Sequence, residues 1–94
     1  MTLIYTVLLV PDPEGDIGVE VPALPGCFSR GKTITEALRN VEEAIQCYLA
    51  SLLDDGEPLP EETGPISIDT ATIAEGLLFK VSVALEDVTE AKAA

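Results

Sequence analysis

The stretch Val21–Leu38, VPALPGCFSRGKTITEAL, decides the fold of this chain of 94 residues. Two prolines and a glycine near its start predict a tight corner, because proline fixes its own φ and glycine tolerates positive φ. A threonine followed three residues later by a glutamate is the pattern of a capping box at a helix start. The stretch therefore predicts a strand end, a corner, a short strand and a helix. The residues of this structural signature are Pro22, Pro25, Gly26, Gly31, Thr33 and Glu36.

A long amphipathic helix is expected directly after this stretch, from Ile34 to about Asp55. Its apolar residues recur at the i, i+3, i+4, i+7 spacing of one helix face. Gly56 suits the position just after a helix, and the prolines at 58 and 60 prevent its continuation. The apolar residues of this face are Ile34, Ala37, Leu38, Val41, Ala44, Ile45, Tyr48, Leu49 and Leu52.

Four segments have the composition of β-strands. Thr2–Val10 is rich in β-branched residues and apolar on both alternating faces, which is typical of a strand buried on two sides. Ile17–Val21 alternates apolar and polar residues after a turn, and Cys27–Arg30 follows the corner as a short third strand. Leu77–Leu85 alternates as well and predicts the last strand.

These elements predict an α+β fold of the order β-β-β-α-β, with a single layer of helix on a sheet. The first strand is doubly apolar and belongs in the centre, so we expect the strand order third, second, first, last. The helix supplies the crossover, so we expect the last strand to run parallel to the first. The helix covers only one sheet face. We therefore expect a homo-oligomer, at least a dimer, that buries the uncovered face or pairs a strand edge.

The chain is expected to form one domain, residues 1–94, because so short a sequence has a modest core. Residues 57–65 are a proline-rich internal connector rather than a domain boundary. Ile66 and Ile68 are candidates for a brief strand. Residues 86–94 are expected to be a solvated tail, helical or frayed.

The charge balance is strongly acidic. Seventeen Asp and Glu against five Lys and Arg give a net charge of −12. Such a surface repels nucleic acid and anionic membranes and attracts cationic proteins. A basic protein partner and simple solubility are both consistent with this balance, and solubility is the commoner meaning.

The residue types present do not favour catalysis. The chain has no histidine, and Cys27 and Cys47 lie in unlike contexts, so we expect free thiols, no metal and no cofactor. Neither Thr2–Val10 nor Leu77–Leu85 contains the carboxylate that a two-metal nuclease needs on its strands. The longest apolar run is too short to span a membrane. We expect a soluble, cytoplasmic protein that is not an enzyme.

Two apolar residues of the corner region have two interpretations. Leu24 and Phe28 either belong to the core or form an exposed contact, and the core interpretation is the commoner one.

Several short motifs between Tyr5 and Pro60 occur together at a characteristic spacing. They are Val21–Cys27, Ser29, Gly31, Thr33, Glu36–Leu38, Glu43–Ala44, Tyr48–Leu49 and Gly56–Pro60. In this combination the chain resembles the HicB family of antitoxins. The resemblance implies a truncated RNase H-like fold and a type II toxin–antitoxin role. Such proteins bind and mask HicA, a small basic toxin that cleaves RNA.

The chain departs from the family pattern in two respects. Ala23 stands where the family commonly has aspartate, and about thirty residues follow the connector, with Lys80 and Lys92 as their only cations. We therefore do not expect the C-terminal operator-binding domain that many members carry. Residues that contact a partner are not assigned. The alternative is a solitary HicB-like oligomeric domain with a regulatory or ligand-binding role and no toxin partner.

Overall fold

The computed structural model describes residues 2–62 and 77–88. Within these residues one sheet has the strand order β3-β2-β1-β4 and is packed against a single long helix. The predicted α+β class, the element order and the strand order are confirmed. The elements are β1 (Thr2–Pro11), β2 (Ile17–Glu20), β3 (Phe28–Gly31), α1 (Ile34–Asp54) and β4 (Leu77–Ala84).

The predicted direction of the last strand is wrong. β4 runs antiparallel to β1, with Leu77 opposite Leu9 and Ala84 opposite Thr2. The prediction took α1 as the whole crossover between the two strands. However, the segment after α1 already brings Glu62 to Thr6, in the middle of β1. β4 then begins at Leu77 opposite Leu9 and runs back toward Thr2, so the end of α1 does not set the direction of β4.

Both ends of α1 are capped by the residues around them. The Thr33 hydroxyl accepts the Glu36 N–H at 3.1 Å, and the Glu36 carboxylate accepts the Lys32 N–H at 3.3 Å. At the other end Gly56 has φ +73° and donates its N–H to the Leu53 carbonyl, while the Glu57 N–H reaches the Leu52 carbonyl. This is the Schellman pattern, which glycine permits because it has no Cβ. α1 is thereby confined to the 21 residues whose apolar face fits the sheet.

The core lies between α1 and one face of the sheet. Along the helix every turn contributes a fully buried side chain at the spacing of one face. The sheet contributes alternate residues of its strands, as the pleat requires. The helix residues are Ala37, Val41, Ile45 and Leu49, and the strand residues include Leu3, Tyr5, Val7, Leu9, Val19, Val81 and Val83.

Three other sequence predictions have different outcomes. The third strand begins at Phe28 rather than at Cys27, a shift of one residue. Residues 85–88 are helical, and Val88 is fully buried, so the predicted tail is not solvated at that position. The predicted brief strand at Ile66 and Ile68, the last residues of the connector and the rest of the tail lie outside the described residues.

Candidate functional site: the open face of the sheet

The corner between β2 and β3 consists of two consecutive turns. The Leu24 N–H donates to the Val21 carbonyl at 3.0 Å, and the Cys27 N–H donates to the Leu24 carbonyl at 2.9 Å. In the second turn Pro25 precedes Gly26, whose φ of +84° matches the third position of a type II turn. Pro22 occupies the corresponding place in the first turn. The corner is attached to the helix, because the Tyr48 hydroxyl donates to the Pro25 carbonyl at 3.1 Å.

Gly31 lies where β3 passes against the first turn of α1. A Cβ at this position would lie 2.5 Å from the backbone nitrogen of Ala37 and 2.8 Å from the carbonyl carbon of Glu36. The signature residues therefore build the corner and the start of the helix. These six residues do not form a catalytic group.

The two apolar residues of the corner region have opposite environments. Leu24 is fully buried, so the core interpretation is confirmed for it. Phe28 is 72% exposed, and the core interpretation is wrong there. The reason is the pleat, because Phe28 pairs with Glu20 and both side chains lie on the sheet face away from α1.

We call the sheet surface away from α1 the open face. Three of its apolar side chains are well exposed, Phe28 at 72%, Ile4 at 53% and Leu78 at 51%. Leu8 is nevertheless buried and Val10 is half-buried, so this face is less open than the apolar pattern of the first strand suggests. By register the open face consists of Ile4, Thr6, Leu8, Val10, Gly18, Glu20, Phe28, Arg30, Leu78, Lys80 and Ser82.

One row of the open face crosses all four strands. It runs Phe28, Glu20, Leu8, Leu78, each residue opposite the next across a strand pair. Beside it lies a groove of about 560 Å³, lined among others by Leu8, Phe28 and Gly18. Gly18 leaves the groove open because it carries no side chain. The row thus combines exposed apolar surface with a single carboxylate.

Arg30 lies at one end of this groove and is paired with the β1–β2 turn. Its Nη2 atom lies 2.6 Å from the Asp12 carboxylate, and its Nε atom lies 3.8 Å from that of Asp16. Asp12 also accepts the Glu14 N–H at 2.8 Å, which fixes the turn. An exposed pair contributes little to stability. Its effect on the surface is that the guanidinium charge is already neutralised.

Glu62 lies in the notch where β2 ends beside β1. The pairing of β1 with β2 begins at Leu8, so β2 supplies no acceptor for the Thr6 N–H. The Glu62 carboxylate accepts that N–H at 2.6 Å and the Thr6 hydroxyl at 2.7 Å. The Lys80 ammonium donates to the same carboxylate at 2.9 Å and to the Thr6 hydroxyl at 2.6 Å. Two residues earlier, the Pro60 carbonyl accepts a hydrogen bond from the Tyr5 hydroxyl.

The contact of Glu62 is not predicted from the sequence, because a proline-rich connector has no periodicity that would indicate a contact. The available signal was Thr6, a polar residue in an otherwise apolar strand, with Lys80 on the strand expected beside it. Burial of the Glu62 side chain, one tenth exposed, opposes its ionisation. The hydrogen bonds from Lys80 and Thr6 and the charge of Lys80 outweigh burial and hold the pKa of Glu62 below its ordinary value.

Glu62→Gln is expected to lower the free energy of unfolding at neutral pH by about 2 kcal/mol, because a neutral amide replaces charge-assisted acceptors. A lowered folded pKa stabilises the protein above the unfolded value of about 4.3. This stabilisation is lost as pH falls through the folded pKa. Urea denaturation across that pH range should therefore show that the difference in free energy of unfolding between wild type and Glu62→Gln becomes smaller as the pH falls. The control is Glu61→Gln at the exposed neighbouring residue, which should change the free energy of unfolding little. A difference between wild type and Glu62→Gln that does not depend on pH would contradict the account.

The reactive side chains are dispersed. Cys27 is buried and Cys47 is exposed, and both are free thiols. Burial raises the pKa of the Cys27 thiol and so keeps it protonated. Within residues 2–62 and 77–88 no three His, Cys, Asp or Glu side chains converge as metal ligands. In the same residues no helix has the length and apolarity to cross a membrane.

Comparisons with known proteins agree with this fold. A UPF0150 protein of Thermoplasma acidophilum is 50% identical over 58 residues, which are 62% of this chain and 84% of that protein. The N-terminal domain of Burkholderia pseudomallei antitoxin HicB has a TM-score of 0.67 at 28% identity, covering 88% of this chain and 100% of that chain. A chain of a HicA3 and HicB3 toxin–antitoxin complex has a TM-score of 0.66 at 28% identity, covering 87% of this chain and 99% of its own. A family model described as HicB-like antitoxin of bacterial toxin–antitoxin system matches residues 5–92, almost the whole chain, and this chain therefore belongs to that family.

Proposed function

We propose that this chain is the antitoxin of a type II pair and masks a small basic RNase toxin of the HicA type in the cytoplasm. The observation that carries the proposal is the family match over residues 5–92. It is supported by the similarity to a chain of the HicA3 and HicB3 complex at 28% identity. Masking requires a surface complementary to the toxin and no catalytic group on the antitoxin.

The electrostatics of the chain suit this role. Its net charge of −12 attracts a cationic protein and accelerates the encounter. Two of its cations, Arg30 and Lys80, are paired with carboxylates of the same chain. They therefore present little repulsion to a basic partner.

The test is co-expression with the small basic protein encoded next to this chain. Expression of that protein alone should stop growth, and co-expression should restore growth and yield a complex on affinity purification. The association rate should fall steeply with added salt, because long-range attraction is screened. Absence of such a reading frame, or a toxin that is neither bound nor neutralised, would contradict the proposal and favour a solitary domain.

We also propose that the chain forms at least a dimer, by pairing of β4 edges. β4 is the eight-residue edge of the described sheet, and Leu77 is half-exposed at its start. The Thr6 N–H is bonded to Glu62 on the β2 side, so the N–H of its partner Lys80 points away from β1. By the same alternation the N–H of Ser82 also points outward.

Sedimentation of two variants tests this pairing. Ser82→Pro removes an outward N–H without removing a β1–β4 hydrogen bond, and should give a monomer. Ser82→Ala keeps the N–H and should remain a dimer like the wild type. A monomeric wild type at micromolar concentration would contradict the proposal.

A further inference from the structure

We propose that the open face is the surface on which the basic toxin docks, with an apolar toxin side chain over Phe28 and a Lys or Arg against Glu20. The proposal rests on the proposed function. It adds the location of the contact and the chemistry of the toxin surface that fits it.

Phe28 provides the main apolar contact of the open face. An aromatic ring left 72% exposed on a paired strand contributes little to folding but provides a large, rigid contact area. Leu78 lies at the other end of the same row and is half-exposed. The groove lined by Phe28, Glu20 and Gly18 offers about 560 Å³ for an inserted side chain. Aromatic anchors next to pockets are where binding energy concentrates in protein interfaces.

Glu20 provides the unpaired charge of the open face. Its carboxylate lies in the middle of the row, between Phe28 and Leu8. Within residues 2–62 and 77–88 it makes no ion pair. The cations of this face are already satisfied, Arg30 by Asp12 and Lys80 by Glu62. The free charge of the row is therefore negative, and a cation placed between apolar contacts matches it.

The charge also distinguishes a basic toxin from a second copy of this chain. A second copy on this face would cover the Glu20 carboxylate without supplying a cation from its own open face, because Arg30 and Lys80 are already paired there. Pairing at the β4 edge leaves the open face of each copy accessible. Toxin docking and self-association are therefore assigned to different surfaces.

Affinity measurements with matched variants test the location. The probe is the small basic protein encoded beside this chain, purified in a catalytically inactive form. Phe28→Ala should weaken binding about tenfold or more, whereas Ile34→Ala, an exposed apolar truncation on α1, should change it less than about threefold. Thermal denaturation of each variant verifies that it is folded.

Charge reversal provides the second matched pair. Glu20→Lys and Glu43→Lys change the net charge equally, but Glu43 lies exposed on α1. Both variants have the same long-range effect on a cationic toxin, but only Glu20→Lys removes a contact of the proposed surface. Only Glu20→Lys should therefore weaken binding by about tenfold or more. Equal losses for the two variants, or a larger loss for Glu43→Lys, would overturn the location.

Methyl NMR of the labelled chain separates the remaining outcomes. Addition of the inactive toxin should shift the methyl signals of Leu8, Val10 and Leu78 and leave those of Leu38 and Leu52 on α1 unchanged. If the toxin binds but shifts the α1 methyls instead, the function holds and the docking surface is wrong. If Phe28→Ala abolishes self-association and leaves toxin affinity unchanged, a second copy occupies the face. If the wild type does not bind, the proposed function itself fails.

Discussion

Gly31→Ala is expected to lower the free energy of unfolding by about 3 kcal/mol and the melting temperature by roughly 15 °C. The added Cβ would lie 2.5 Å from the Ala37 nitrogen and 2.9 Å from its Cα. These are backbone atoms of the first helical turn and cannot rotate away. The Ala37 N–H is bonded to the Thr33 carbonyl at 2.9 Å, so relief of the clash displaces the capped start of α1.

Gly18→Ala is the matched control, because it adds the same methyl group to a glycine of the same sheet. Its Cβ would meet only the Val10 carbonyl oxygen, at 3.7 Å, which is ordinary contact. We expect a change within about 0.5 kcal/mol. Urea denaturation of both variants measures the difference. Equal effects at the two positions would show that β3 does not approach α1 as closely as described.

Leu24→Ala is expected to destabilise the protein by about 3 kcal/mol, because it empties a fully buried site. Leu24 is also the residue at which the two turns of the corner join, through its N–H and its carbonyl. Loss of its side chain therefore leaves a cavity beneath the corner that joins β2 to β3. The free energy of unfolding from urea denaturation is the measurement.

Phe28→Ala controls for the loss of a large apolar side chain in the same region. Phe28 is well exposed, so we expect its removal to change the free energy of unfolding by less than about 0.5 kcal/mol. Leu24 and Phe28 have the same sequence-based interpretation and opposite expected effects. A large destabilisation by Phe28→Ala would contradict the placement of its ring on the open face.

The sequence predicts α1 well because local rules act together there. The apolar period, the Thr33 hydroxyl and the positive φ of Gly56 all concern residues within a few positions of one another. The central place of β1 follows from its doubly apolar pattern. These signals require no knowledge of distant contacts.

The sequence does not predict the direction of β4 or the contact of Glu62, because both depend on how the chain returns after α1. Glu62 reaches Thr6 across more than fifty positions, and no local pattern indicates such a pairing. The exposure of Phe28 escapes prediction for a different reason. Side chains alternate between the two sheet faces, and Cys27 takes the core position, so the larger apolar residue Phe28 lies on the open face.

The motif around the corner identifies the family and builds the scaffold, whereas the exposed chemistry lies on the opposite side of the sheet. Scaffold substitutions at Gly31 and Leu24 should therefore reduce stability. Substitutions at Glu20 and Phe28 should leave the fold intact and affect binding alone.

Inhibition of toxin RNase activity tests the central claim most directly. The small basic protein encoded beside this chain is assayed for RNA cleavage while purified chain is added in increasing amounts. The account predicts that cleavage falls in proportion to added chain and ceases near stoichiometric amounts, with Glu43→Lys inhibiting like the wild type and Glu20→Lys inhibiting less well. Cleavage that continues undiminished in the presence of excess wild-type chain would contradict it.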